Sequence, residues 1–457
     1  MLTDKHQIDM CSGPLLRKIL LFTIPLSLSG ILQLLFNAAD VIVIGRYAGS
    51  QALGAVGATG PLVNLIVNTF LGLSVGTSST VANYCGAQDE EGIHESVHTA
   101  ITVSLVCGVL VMLLGICFAS PILRLMDTPE DIIGLSSLYL RIYFGGIIGT
   151  IVYNFGASIL RAMGDTRRPL IYLLISGIIN VLLNLLFVIC FHMSVAGVAL
   201  ATVISQIISA SFVLRALCKM DGCFKLQFKM LRIYSRCFHN MMRIGVPAGI
   251  QAAFFGLSNT LIQSSVNSFG SVAVAGNAAS LNLEGFIYTA MNSFHHTAIA
   301  FLGQNVGAKK YERINRIVFA CLGLVTLTGA VLGILYVIFA ARLVGIYSPD
   351  PEVISFGIIR LVLFGYTYFI CGQMDVMAGA LRGLGHSVTP MITSLLGACG
   401  FRIFWIYTFF AAHRTLFTLY ISYPVSWILM LSANLIAFVI VKKKLMVRMN
   451  EASIQTS

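Results

Sequence analysis

Long apolar runs separated by short polar gaps recur along the whole chain. A helix needs about 20 apolar residues to cross the hydrocarbon core of a bilayer, and it satisfies its own backbone groups while doing so. The pattern predicts twelve such spans, at 17–44, 54–81, 97–119, 137–160, 169–191, 195–217, 244–267, 273–302, 314–340, 355–381, 390–411 and 416–441. The expected fold is all-α, a polytopic membrane protein.

Composition agrees. Hydrophobic residues make up 57% of the 457 and charged residues 10%, with a mean hydropathy of +0.88. A soluble domain carries about 25% charged residues, because water must wet its surface. The formal charge of +11 invites a nucleic-acid reading, but the Lys and Arg residues cluster in gaps: Arg167-Arg168, Lys225 to Arg243, Lys309-Lys310 and Lys442 to Lys444. Of the 29, all but seven fall in alternate gaps and the tails, which places both termini in the cytoplasm of a plasma or inner membrane. No basic face interleaved with aromatics is present, so no nucleic-acid partner is expected. No cleavable leader is predicted, since the segment before Arg17-Lys18 is polar and the apolar run after it is too long. The eleven cysteines sit in apolar runs or basic gaps at spacings that fit neither a disulfide framework nor a zinc site.

The two halves repeat. "LRAMGDTRRP" at Leu160 to Pro169 returns as "LRGLGHSVTP" at Leu381 to Pro390, a shift of 221. Gly86-Ala87 returns as Gly307-Ala308 at the same shift, and Pro25 returns as Pro247 at 222. Several anchors in one register mark an internal duplication. Each repeat holds six spans, so both cross in the same direction, and a pseudo-two-fold axis along the membrane normal should relate two six-helix bundles. The expected divisions are a first lobe at 1–218, a basic cytoplasmic linker at 219–243, a second lobe at 244–445 and a tail at 446–457. Two such lobes suit an alternating-access carrier.

Three acidic residues fall inside spans: Asp40, Glu284 and Asp375. A carboxylate there is expensive unless neutral, paired or facing a wet cavity. One reading makes each a protonated link between helices; the other makes it a site that binds H⁺ or Na⁺ and couples it to cargo. Burial moves a carboxyl toward protonation near neutral pH, as a proton site requires. Asp375 falls at Asn154 when shifted by 221, so the lobes are chemically unequal. Asn180 and Asn184 share a helix face in the fifth span, and the sixth carries Thr202, Ser205 and Gln206. With Asp40 they supply hard oxygen ligands within one lobe, for Na⁺ or a proton, although interhelical polar packing explains each Asn as well. Arg402 is read as the single Lys or Arg well inside a span, wanting Asp375 or Glu284 as its partner; these three are the second lobe's candidate coupling or substrate residues. His295 and His296 point about 100° apart and cannot serve one cavity.

These residues resemble the multidrug and toxic compound extrusion (MATE) family over about residues 14 to 445. The likeness rests on Pro25, the stretch "FNAADVIVIGRYAG", the "GQNVGA" after span 8 and the twice-used "LR-x-x-G…P". It implies a V-shaped pair of six-helix lobes exporting amphipathic, cationic drugs or other toxic compounds in exchange for H⁺ or Na⁺. Asp40, Asn180, Asn184 and Thr202 match the family's first-lobe cation site, Pro25 the proline at which the first helix bends, and Asp375 the span-10 carboxylate. The sequence departs where Asn184 replaces a common Asp, and where no acid occurs between Pro247 and Phe269; Glu284 lies one span later.

The expected carrier is not an enzyme. It needs no cofactor beyond its coupling ion and no ATPase subunit, and it works as a monomer on a small amphipathic substrate in the bilayer. The nearest rival is a lipid-linked saccharide flippase, which requires a strongly cationic cavity. A major-facilitator symporter usually has a basic gap after span 2, where this chain reads "CGAQDEEGIHES". His94 and His98 lack the Glu placement of a zinc protease, and no G-x-x-x-x-G-K loop is present.

Overall fold

The computed structural model describes residues 7–455, and side chains from 7 to 447. The helices are α1 (Leu15–Tyr47), α2 (Ser50–Ala87), α3 (Glu90–Leu125), α4 (Glu130–Gly145), α5 (Ile147–Ala162), α6 (Arg167–Leu185), α7 (Ser194–Lys219), α8 (Ser235–Asn267), α9 (Ser271–Gly307), α10 (Glu312–Gly345) and α11 (Pro351–Gly383). Two further spans come after α11, Val388–Phe410 and Leu416–Val447. α4 and α5 form one span bent by 46° at Gly146, which gives twelve spans among the described residues. Nine are apolar enough to cross a membrane on composition alone, and the bent pair makes ten. α8 and α9 are long enough too, but they carry Gln251, Asn259, Gln263, Asn277, Glu284 and His295, which lower their hydropathy. Local chemistry starts the helices: Asp89 accepts from Gly92 N at 2.9 Å to cap α3, and Asp350 accepts from Glu352 N at 2.9 Å with Pro351 in the first turn of α11.

The chain forms two compact units. Among the described residues, one comprises 7–8 and 28–242, the other 9–27 and 243–455. These differ from the divisions expected from sequence, because the segment 219–242 packs with the first unit. His98 Nε2 accepts from Gln227 N at 3.1 Å, Thr99 Oγ1 accepts from Tyr234 N at 3.1 Å, and Cys237 is fully buried against α3. Residues 9–27 belong to the second unit, where Thr23 and Thr297 hydroxyls lie 2.8 Å apart and Phe22 meets Phe301 edge-on. α1 is therefore divided between units just after Pro25.

The duplication returns as backbone geometry. Gly49 and Gly270 begin α2 and α9 at φ 86° and 92°, and Gln88 and Lys309 end them at φ 55° and 56°. Gly164 and Gly385 turn at 95° and 82°. Each pair is 221 apart.

Two close helix approaches position the polar groups within the spans. In the first unit the Phe36 ring of α1 lies where a Cβ on Gly177 of α6 would be. In the second, a Cβ on Gly379 of α11 would meet the His295 carbonyl of α9 at 2.6 Å. Small residues at such crossings let backbones approach and side chains beyond them meet.

Candidate functional site

In the first unit, the Phe36–Gly177 crossing brings α1 against α6 one turn before Asp40. Asn184 Nδ2 donates to Asp40 Oδ1 at 2.5 Å, and Thr202 Oγ1 lies 3.4 Å from Oδ2. Asn184 Nδ2 also reaches Asn180 Oδ1 at 3.3 Å, and Asn180 Nδ2 reaches Thr202 Oγ1 at 3.5 Å. The Thr202 hydroxyl has a shorter bond to Val198 O, 3.0 Å. The four residues named from sequence thus meet from α1, α6 and α7, with Asn184 and Thr202 on the Asp40 carboxylate and Asn180 behind them. Asn180 and Asn184 are buried, while Asp40 and Thr202 are partly open. The Asn184 Oδ1 atom is buried without a hydrogen-bond partner among the described residues, so the cluster has one oxygen more than its own donors satisfy. A half-open carboxylate ringed by two amides and a hydroxyl is suited to holding a small cation or a proton.

The second unit contains two separate groups. Glu284 of α9 receives both Nε and Nη2 of Arg360, at 2.7 and 2.9 Å, in a bidentate pair. Arg360 Nη1 donates to Asn277 Oδ1 at 3.0 Å, the same atom that accepts from Tyr420 OH at 3.0 Å. The guanidinium also lies over Phe364, Tyr420 and Tyr423, 4.6, 5.1 and 5.3 Å from their centroids. Asp375 is elsewhere, hydrogen-bonded by Tyr288 and Asn292 with Arg382 nearby. His295 Nδ1 bonds the Asp375 carbonyl at 2.7 Å, and its Nε2 takes Arg382 Nη1 at 3.0 Å. That arrangement makes the ring a neutral donor–acceptor link. Asp375 and Glu284 are both buried.

The structure corrects two sequence expectations. Arg402 pairs with neither Asp375 nor Glu284: its Nε donates to Ser426 Oγ at 3.1 Å, and its guanidinium stacks on Tyr423 at 4.1 Å. Nor is Arg402 the single cation inside a span, because Arg360 is 3% exposed within α11. Arg360 is the partner that Glu284 needed. Its place inside the predicted span 355–381 was the signal, and the pairing across 76 residues was not visible locally. Pro25 lies within a continuous α1.

A family model described as MatE matches residues 25–186 and 247–408, one match in each half. The chain is 28% identical over 396 residues to "Probable multidrug resistance protein YoeA" of Bacillus subtilis (strain 168), covering 85% of each. It is 23% identical over 402 residues to an "FAD transporter" of Shewanella oneidensis, covering 86% of this chain and 87% of that one. Among solved structures, "MATE in the bent conformation" superposes with a TM-score of 0.87 at 19% identity, covering 97% of this chain and 98% of that chain. That likeness shows the shared fold, twelve transmembrane helices in two bundles. With its family model matched once in each repeat, this multi-pass membrane chain belongs to the MatE family of multidrug and toxic compound extrusion transporters, which are carriers and not enzymes.

Proposed function

We propose that this chain is a secondary antiporter that exports amphipathic cationic drugs or toxic organic compounds in exchange for H⁺ or Na⁺. The observation that carries the reading is the cluster of Asn184 and Thr202 on the partly open Asp40 carboxylate, with Asn180 bonded to both. The curated relative named as a multidrug resistance protein supports the cargo class. The clustering of Lys and Arg in alternate gaps supports cytoplasmic termini.

The mechanism is one of linkage. With Asp40 charged, the Asn184 amide holds α1 against α6. A bound proton or Na⁺ removes that charge from the amide, and α1 is released from its partners in the first unit. Pro25 supplies no backbone N–H, so α1 bends there at low cost, close to the residue at which it passes into the second unit. The ion thereby favours one arrangement of the carrier, and the drug the other. By reciprocity each weakens the other's binding.

Asp375 is a second candidate carboxylate for this exchange, held by neutral groups and Arg382. Glu284 is not, because its charge is matched by Arg360. The test is efflux of a cationic dye such as ethidium from cells expressing Asp40→Asn at wild-type level. Loss of export is expected; full export rejects the proposal.

A further inference from the structure

The two units share a backbone plan but not a chemistry at corresponding positions. In the first, Ser205 Oγ donates to Thr202 O at 2.8 Å; in the second, Ser426 Oγ donates to Tyr423 O at 2.7 Å. The same local bond, displaced by 221 residues, places Tyr423 where the first unit has Thr202. The residue facing Thr202 from the preceding span is Asn180. The residue facing Tyr423 from its preceding span is Arg402, whose guanidinium lies 4.1 Å from the ring centroid and whose Nε bonds Ser426.

Asn180 and Arg402 are 222 apart, one more than the local register. The extra residue has a visible source. A π-helical segment, Leu395–Phe401, directly precedes Arg402, whereas α6 is regular through Leu185. A π-turn accommodates one added residue and rotates the helix beyond it, and such turns are frequent at functional positions. Here it brings Arg402, not Phe401, to the Tyr423 face. On the first helix of each unit, the Pro25–Pro247 register sets Ile262 opposite Asp40, and Ile262 is buried. The counterpart of the Asp40 cluster therefore has no carboxylate. It has a fixed positive charge, 2% exposed, whose Nη1 finds no hydrogen-bond partner among the described residues.

We propose that Arg402 is a tethered cation, filling permanently in the second unit the place that an exchangeable cation takes in the first. This rests on reading the Asp40 cluster as an ion site. The Tyr423 ring face and the Ser426 hydroxyl are groups a cation uses without a carboxylate. A charge bound to the backbone cannot leave, so of this repeat-related pair of positions only the one in the first unit can exchange its cation; Asp375 lies outside the pair.

The experiment is chemical rescue of the purified full-length protein. Arg402→Ala should melt below wild type, and millimolar methylguanidinium should restore at least half of the shortfall, while potassium chloride at equal ionic strength restores little and wild type does not respond. If Arg402→Ala cannot be purified, Arg402→Lys should melt closer to wild type than Arg402→Met, which keeps volume but not charge. An Arg402→Met protein as stable as wild type, or an Arg402→Ala protein indifferent to methylguanidinium, overturns the proposal. Ion-dependent melting of Asp40→Asn is measured in parallel. If its ion response is unchanged, the first-unit reading fails and the pairing of the two positions falls with it, whereas a failed rescue beside a lost ion response in Asp40→Asn rejects the tethered cation alone.

Discussion

Glu284→Gln removes one half of a buried bidentate pair and leaves the Arg360 guanidinium without its counter-charge. Breaking such a pair costs about 3–5 kcal/mol, because the surviving charge remains desolvated. Arg360 keeps its bond to Asn277 and three ring faces within 5.3 Å. These offset about 1–2 kcal/mol, which leaves a net loss of about 1–4 kcal/mol. At about 2–4 °C per kcal/mol for a unit of this size, the melting temperature should fall by about 5–10 °C. Replacing both partners with apolar residues, Glu284→Leu with Arg360→Met, should recover most of that loss, since a buried ion pair gains little over well-packed apolar groups. Fluorescence-monitored melting of wild type, Glu284→Leu, Arg360→Met and the double variant closes a double-mutant cycle. The double variant should also retain dye export, because the pair holds α9 to α11 and carries no ion. A single variant losing less than about 1 kcal/mol, or a double variant as unstable as the sum of its singles, refutes the reasoning.

Further expectations concern the first unit. Asn184→Ala should impair export more than Thr202→Ala, because a hydrogen bond to a charge contributes about 1.5–3 kcal/mol and the Thr202 contact at 3.4 Å is long; initial rates of dye efflux give the order, and equal effects contradict it. Gly177→Ala puts a methyl into the Phe36 ring, which should cost about 1–3 kcal/mol of overpacking and reduce export by displacing Asp40. Melting and efflux check both, and a silent substitution rejects the crossing. Pro25→Ala restores a backbone N–H to α1 and should slow transport while leaving the melting temperature within a few degrees or raising it. Unchanged transport rates count against bending at that residue.

The twelve spans were legible because a bilayer imposes a length and an apolarity that the sequence displays directly. Their ends were less so: the predicted span at 244–267 begins nine residues into α8, since a helix continues past the hydrocarbon into the polar "linker" that the charge pattern had marked. The Asp40 cluster was legible because Asn180 and Asn184 share a face and polar atoms inside spans are few. Arg360 was missed because it stands near the start of a predicted span, where a cation reads as an interfacial residue. Its partner lies in another helix, and nothing in the local pattern sets the pair. The π-turn before Arg402 was invisible for a related reason. A one-residue register change leaves hydropathy unaltered, yet it decides which side chain meets Tyr423.

The central claim is that a cation held at Asp40 drives export. The most direct measurement is dye efflux from proteoliposomes energised separately by a pH gradient and by a sodium gradient, for wild type and Asp40→Asn. One of the two gradients should drive the wild-type protein and neither should drive the variant. Equal gradient-driven efflux by Asp40→Asn would contradict the account.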